Sequence, residues 1–500
     1  MSLFKKILFF LLIGFSLFFA SWYQLHGDIS FTSDIGRDFL ILRQVDQKKI
    51  ILIGPRASGN LFHGPMWPYM EYPFYFLGQG NPVAVGWGWV FYTFIFTVSC
   101  YFVAKKLFGK ETAYLFSIMA ALYTAFSAHM MINPNGAMFF IPAFFYFFIR
   151  YFETLKRKFL LANLILGVIL IQTELALGIP LVILSSIAIL FKQFKTKNFK
   201  QVLYFLLIPA GLSNFFIFDL RHGFIITHNV LKFVSPQANG HVFNYAGELW
   251  QRIYLAFTGV EVLRVDLFHL DFVLFLGILF MIYIQVKNKK YKTIYLSFLY
   301  FYFGYFVLSF IDKGPLLYFY QFPMFPLVFL IFSSFVTSKY KRIFLVIFAL
   351  VLLLNIKTAF SDMYSSQYII GKNIYSWKFL NTMTDKVFSG KENTFGYFVY
   401  SPDALAYEPK FAMLYKASKS RKDAQYFTKE KITYIVAEPP PPNNQYMHSD
   451  WWIKNEARIN ATPSAVFEFP NGYKILKYQL SDSQIKIPAA QFIDPGLNFR

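Results

Sequence analysis

Eleven apolar runs, each about the length of a membrane-crossing helix, recur along the first 360 positions. They lie at 7–22, 83–104, 112–131, 137–152, 159–172, 178–191, 201–218, 268–286, 293–311, 320–337 and 343–360. About 20 apolar residues wound as a helix span the hydrocarbon of a bilayer, because the helix pairs its own backbone polar groups. Of 500 residues, 56% are hydrophobic and 15% charged, whereas a soluble domain carries about a quarter charged residues. The chain therefore reads as an all-α polytopic membrane protein with about 11 transmembrane helices.

The net charge of +21 would suggest a nucleic-acid partner in a soluble protein. Here the bases fall in short clusters between apolar runs: Lys5-Lys6, Lys105-Lys106, Lys156-Arg157-Lys158, Lys192 to Lys200, Lys287 to Lys292, and Lys339 with Lys341-Arg342. With eleven spans, every cluster falls on one side. Cytoplasmic loops are the ones enriched in Lys and Arg, so no nucleic-acid partner is expected. The N-terminus is placed in the cytoplasm of a plasma (inner) membrane and residues 361–500 outside. The stretch 159–191 is too long for one crossing. It breaks near Gln172-Thr173-Glu174, ahead of Gly178 and Pro180. The basic, apolar start resembles a signal peptide, but Phe19-Ala20-Ser21 is a poor cleavage site. It is read as a retained first span, with cleavage the lesser alternative. The single cysteine, Cys100, allows no disulfide within the chain and no Cys-based metal site.

Two domains follow: a transmembrane domain, 1–360, with an outer first loop at 23–82, and a small extracytoplasmic α/β domain at 361–500. In the latter, 395–400 and 432–438 read as strands. Residues 465–480 read as a hairpin around Asn471-Gly472, and 402–418 as a helix with Pro402 near its start.

Charged residues gather on the outer face. In FTSDIGRDFL, Asp34 and Asp38 are one helical turn apart and Arg37 neighbours both. A carboxylate partly stripped of water at the membrane surface is more basic, which suits a general base. Ser33 or Asp34 as a helix cap is the plain alternative, and both roles can hold together. His63, between Phe62 and Gly64-Pro65, is either a phosphate or sugar contact or a loop hydrogen-bonder. Glu174 among apolar residues points to function, unless its carboxylate reaches solvent at the turn. In FDLRHG, Arg221 and His222 suit a lipid phosphate, unless Asp219 and Arg221 simply pair. Asn133-Pro134-Asn135 is an ordinary turn signal, and Lys313 is a weaker candidate. No Gly-rich phosphate loop, zinc spacing or nucleophile elbow is present.

Together these residues resemble the GT-C glycosyltransferases, specifically the bacterial relatives of protein O-mannosyltransferases and lipid A aminoarabinose transferases. The resemblance rests on Asp34 to Asp38, Leu61 to Pro65, Asn133-Pro134-Asn135 and Phe218 to Gly223, each in its topological place over roughly the first 340 residues. It implies a sugar donor on a polyprenyl phosphate, used at the outer face, with Asp34 as the base and Arg37 following it. Ile35 replaces the glutamate common after that aspartate. Asn135 stands near the position of the family's second acidic residue, so Asp38 or Glu174 is left for that role. Arg221 and His222 would hold the departing phosphate. No metal or other cofactor is expected. A lipid-linked-glycan flippase would want charges at mid-membrane in broken helices, often with internal symmetry. A polymerase or ligase of such glycans would use Arg and His of outer loops, and a scaffold would use neither.

Overall fold

The computed structural model describes residues 3–490 apart from 49, 58–60, 235–243, 259–269, 288, 290, 312–315 and 445–446, so Lys313 lies outside the described residues. The chain divides into two compact units. The first comprises Met1–Ser21, Ile51–Met70 and Gly88–Met363; the second comprises Trp22–Ile50, Glu71–Trp87 and Tyr364–Arg500.

The first unit is helical, and the apolar runs coincide with its helices. Among the described residues six helices are long and apolar enough to cross a membrane. The pair Phe199–Gly211 and Ser213–Arg221, bent by 43°, makes a seventh if counted as one span. The other four runs wind into Lys110–Ser127, Ile141–Thr154, Arg157–Thr173 and Lys292–Leu308, which are shorter or less apolar. A crossing count of eleven is therefore not established, but a multi-pass membrane protein is. The helix Leu270–Lys287 shows why. Phe275, Ile278, Ile282 and Gln285 are buried, whereas Val273, Leu276, Phe280 and Tyr283 are exposed. Both sets follow the helical repeat, so the helix is apolar all round and its outward face suits lipid rather than water.

The break in 159–191 falls at one residue. Arg157–Thr173 ends, Glu174 takes an extended conformation (φ −146°, ψ 105°), and Leu175–Lys195 begins at once. The two helices then run close together. A Cβ on Gly178 would lie 2.4 Å from the backbone nitrogen of Ile171, so only glycine permits that approach. The stretch between the apolar runs 201–218 and 268–286 is also helical in part, as Ile225–Val234 and Tyr245–Thr258. In the latter, Arg252 is buried, with Glu248 and Ser309 as partners.

The second unit carries a five-stranded sheet of order β2-β1-β3-β5-β4, with β1 Thr394–Tyr400, β2 Asp423–Tyr426, β3 Ile432–Ala437, β4 Ala465–Glu468 and β5 Lys474–Gln479. β1 pairs in parallel with β2 and β3; β5 is antiparallel to β3 and β4. The expected hairpin is β4–β5, turning at Asn471-Gly472 with Gly472 at φ +91°. The helix expected from Pro402 starts later, at Tyr407. Asp403 Oδ1 draws in Ser401 Oγ and the amides of Leu405 and Ala406, and Ala404 and Ala406 take positive φ, so the intervening residues form a turn. Pro409 falls instead in the first helical turn, where a missing N–H costs nothing. The helix Ser33–Lys48 packs on Tyr407–Lys419 through Phe39 and Phe411, whose rings lie 5.2 Å apart.

Candidate active-site residues

In the second unit the expected charges do assemble. Thr32 O accepts the amide of Gly36 at 2.8 Å, so the helix is wound by the time it reaches Arg37. Arg37 Nη1 meets Asp34 Oδ1 at 2.8 Å; its Nε and Nη2 meet Asp38 Oδ1 at 3.0 and 2.9 Å. The guanidinium thus bridges two carboxylates on one face. Exposure falls steeply along the cluster: the side chains of Asp34, Arg37 and Asp38 are 64%, 14% and 2% accessible. Burial works against the charge on Arg37, but Asp38 and Asp34 outweigh it and raise the guanidinium pKa. Asp34 is therefore the open carboxylate and Asp38 the desolvated one, the reverse of the expectation that Asp34 is partly desolvated. Neither Ser33 nor Asp34 caps the helix among the described residues. Ser33 Oγ donates to Asp403 Oδ2 instead, at 3.2 Å. Asp34 Oδ2 makes no hydrogen bond there either, which leaves one oxygen available to an incoming group.

A carboxyl group that sequence reasoning passed over lies beside this helix. A Cβ on Gly36 would sit 2.9 Å from the Glu408 nitrogen, so the helix rests directly on the backbone at Glu408. Glu408 is 4% exposed and its Oε2 has no partner among the described residues. Burial, then the nearby charges of Glu438, Asp403 and Asp34, push its pKa up to about 8, against the opposing effect of a backbone hydrogen bond. Burial and Asp403 push Glu438 to about 7, despite hydrogen bonds with Ser401 and Tyr473. Glu408 is thus mostly a neutral acid at pH 7. Its sequence position, in the first turn of a helix, looks like that of any N-terminal acid.

In the first unit a second set forms. Residues 54–57 lie back along 61–63, with Gly54 N donating to His63 O, His63 N to Pro55 O and Ala57 N to Leu61 O. Gly64 then passes against Gln172, where a Cβ would be 1.7 Å from Oε1. This delivers His63 to the break at Glu174. The amide of Leu175 points at His63 Nδ1 (3.4 Å), and Asn133 Nδ2 lies 3.3 Å from His63 Nε2 and 2.7 Å from Glu174 Oε2. Glu174 Oε1 accepts the amide of Ala176, capping the next helix. Glu174 is fully buried and does not reach solvent. His63 and Glu174 are brought together, and the residue joining them is Asn133, to which the sequence assigned no site role of its own beyond its turn and the resemblance. Asn135, on the same short helix, is also buried; its Nδ2 donates to Met130 O and its Oδ1 has no partner among the described residues.

The FDLRHG segment arranges itself differently from its simple alternative. Asp219 does not pair with Arg221. It takes the amides of Ile226 and Thr227 and the Thr227 hydroxyl, which anchors the start of the helix Ile225–Val234. Arg221 is exposed and makes no ion pair among the described residues. His222 stacks on Phe218, with ring centres 4.0 Å apart, and its Nδ1 lies 2.7 Å from Phe218 O. A carbonyl only accepts, so Nδ1 carries the proton. Nε2 of the neutral ring is then an acceptor, and it could donate to a phosphate only as imidazolium.

No protein-family model matches this sequence, and no curated protein matches it. Solved structures do. The chain is similar to the crystal structure of ArnT from Cupriavidus metallidurans bound to undecaprenyl phosphate: TM-score 0.57 and 11% identity, over 98% of this chain and 100% of that one. The same protein in the apo state gives TM-score 0.59 and 11% identity, over 95% and 98%. The fold is GT-C. At this identity the likeness is one of fold alone, and it spans nearly the whole chain. The GT-C architecture therefore includes the second unit and its five-stranded sheet, where the sequence resemblance had reached only about residue 340.

Proposed function

We propose that this chain is a membrane glycosyltransferase that moves a sugar from a polyprenyl-phosphate donor to an acceptor hydroxyl at the extracytoplasmic face. The observation that carries the reading is the near-complete fold likeness to a protein crystallised with undecaprenyl phosphate. The charged helix Ser33–Lys48 supports it. In this reading Asp34 Oδ2 takes the proton of the acceptor hydroxyl, while Arg37, held by buried Asp38, fixes Oδ1. The acceptor oxygen bonds to the anomeric carbon, the bond from that carbon to the phosphate oxygen breaks, and polyprenyl phosphate departs. Arg221, unpaired among the described residues, is assigned to the phosphate, with His222 joining it when protonated. His63 and Glu174, joined through Asn133, and the buried Asn135 on the same short helix as Asn133 are assigned to substrate binding. The protein partner set is then a lipid-linked donor, a lipid, glycan or protein acceptor, and the bilayer.

The test is sugar transfer in membranes containing wild type or Asp34→Asn at equal abundance, with a panel of radiolabelled polyprenyl-phosphate sugars. The expected result is consumption of one donor by wild type and its loss in the variant. Equal consumption by both would remove Asp34 from the chemistry. Donor movement across the membrane without transfer would favour a flippase.

A further inference from the structure

Three helices of the first unit, Leu3–Ala20, Lys110–Ser127 and Lys341–Ser365, begin at one end of a shared groove of about 820 Å³. Its walls are apolar: Leu8, Phe9 and Leu12 face Leu115 and Ile118 across it, with Phe348 and Leu352 opposite. From Lys341 to Leu352 the groove follows its helix for roughly 16 Å at 1.5 Å per residue, a depth that suits an acyl chain. Its mouth is basic. Lys5, Lys6, Lys110 and Lys341 line it with a single carboxylate, Glu111. Glu111 is already taken by Lys341 at 2.6 Å, so Lys5, Lys6 and Lys110 remain without an ion pair among the described residues. An apolar slot closed at one end by unneutralised ammonium groups matches one chemistry, an anionic headgroup carrying hydrocarbon chains.

We propose that this groove binds one anionic phospholipid. Its phosphate sits among Lys5, Lys6 and Lys110, and an acyl chain lies along Leu12, Ile118 and Leu352. The site belongs to the leaflet on the side of the lysine clusters. It is independent of the charged helix Ser33–Lys48 and of sugar transfer.

The full chain in detergent would be titrated with phosphatidylglycerol and, separately, with phosphatidylcholine, and bound lipid counted by native mass spectrometry. Wild type is expected to retain one phosphatidylglycerol, at least tenfold tighter than phosphatidylcholine. The double variant Lys6→Gln/Lys110→Gln should bind it roughly thirty-fold more weakly, at about 1 kcal/mol per lysine. Ala349→Trp, which fills the slot, should abolish the adduct, while Lys289→Gln, at a different basic loop, should not. Melting of each variant in the same detergent reports folding, and the lysine pair decides alone if the tryptophan variant unfolds. Equal retention of the two lipids, or an adduct indifferent to the lysine pair, overturns the proposal.

Discussion

Glu408 makes the stability of the second unit depend on pH in a direction opposite to that of most carboxylates. Its ordinary pKa is 4.5 and in the fold it is pushed up to about 8. Between those values only the folded state holds the proton. The stabilising contribution is therefore complete below about pH 4.5 and drains away as pH rises through 8. The displacement of some 3.5 units corresponds to roughly 5 kcal/mol across that range, at about 1.36 kcal/mol per unit. Glu408→Gln keeps the shape and the donor but cannot ionise. It should match wild type near pH 5 and exceed it at pH 9. At about 2–4 °C per kcal/mol for a unit of this size, the gap in unfolding midpoint at pH 9 should be on the order of 10 °C. Tryptophan fluorescence of the full chain in detergent, scanned at pH 5, 7 and 9, would measure it; Trp377 of this unit is a buried reporter. Midpoints of wild type and variant that stay parallel from pH 5 to 9 would refute the argument, because a carboxyl indifferent to ionisation cannot be desolvated.

Arg37→Met should cost about 3–5 kcal/mol, because it strands the buried charge of Asp38; adding Asp38→Leu should recover most of the loss in a denaturation double-mutant cycle. Glu174→Ala removes both a helix cap and the partner of Asn133, so a loss of about 2 kcal/mol is expected in thermal scans. Asp219→Ala should destabilise the start of the helix Ile225–Val234 by about 1 kcal/mol, seen as faster hydrogen exchange confined to that helix.

What could be read in the sequence was whatever repeats locally. The apolar runs became helices because a 3.6-residue winding is the low-cost way to carry such a segment through lipid. The hairpin at Asn471-Gly472 followed from a dipeptide that tolerates the required backbone. Arg37 met both carboxylates because Asp34 lies three residues before it and Asp38 directly after it. Contacts between distant segments were not readable. Nothing near Asn133 announces His63 or Glu174, 70 and 41 positions away. Nothing near Asp219 shows that it would be spent on the amides of Ile226 and Thr227 rather than on Arg221. Glu408 is buried by packing against Gly36, a long-range approach that leaves no periodic trace. The helix expected from Pro402 failed for a local reason, since Asp403 bonds to its own turn more readily than it lets a helix begin.

Asp28 has a consequence for how the protein comes into being. Its carboxylate takes the amides of Gly371 and Lys378 and the hydroxyl of Ser376, 343 to 350 positions downstream. At about 5–20 residues per second, a ribosome needs roughly 20–70 s to cover that distance. Throughout that interval the segment Trp22–Ile50 has emerged without the residues that hold it. The sheet and the helix Tyr407–Lys419, on which Ser33–Lys48 rests, come later still. The charge cluster is thus one of the first pieces made and one of the last to be seated. A polypeptide interrupted before Ser376 carries all three of its charges but no surface to set them on.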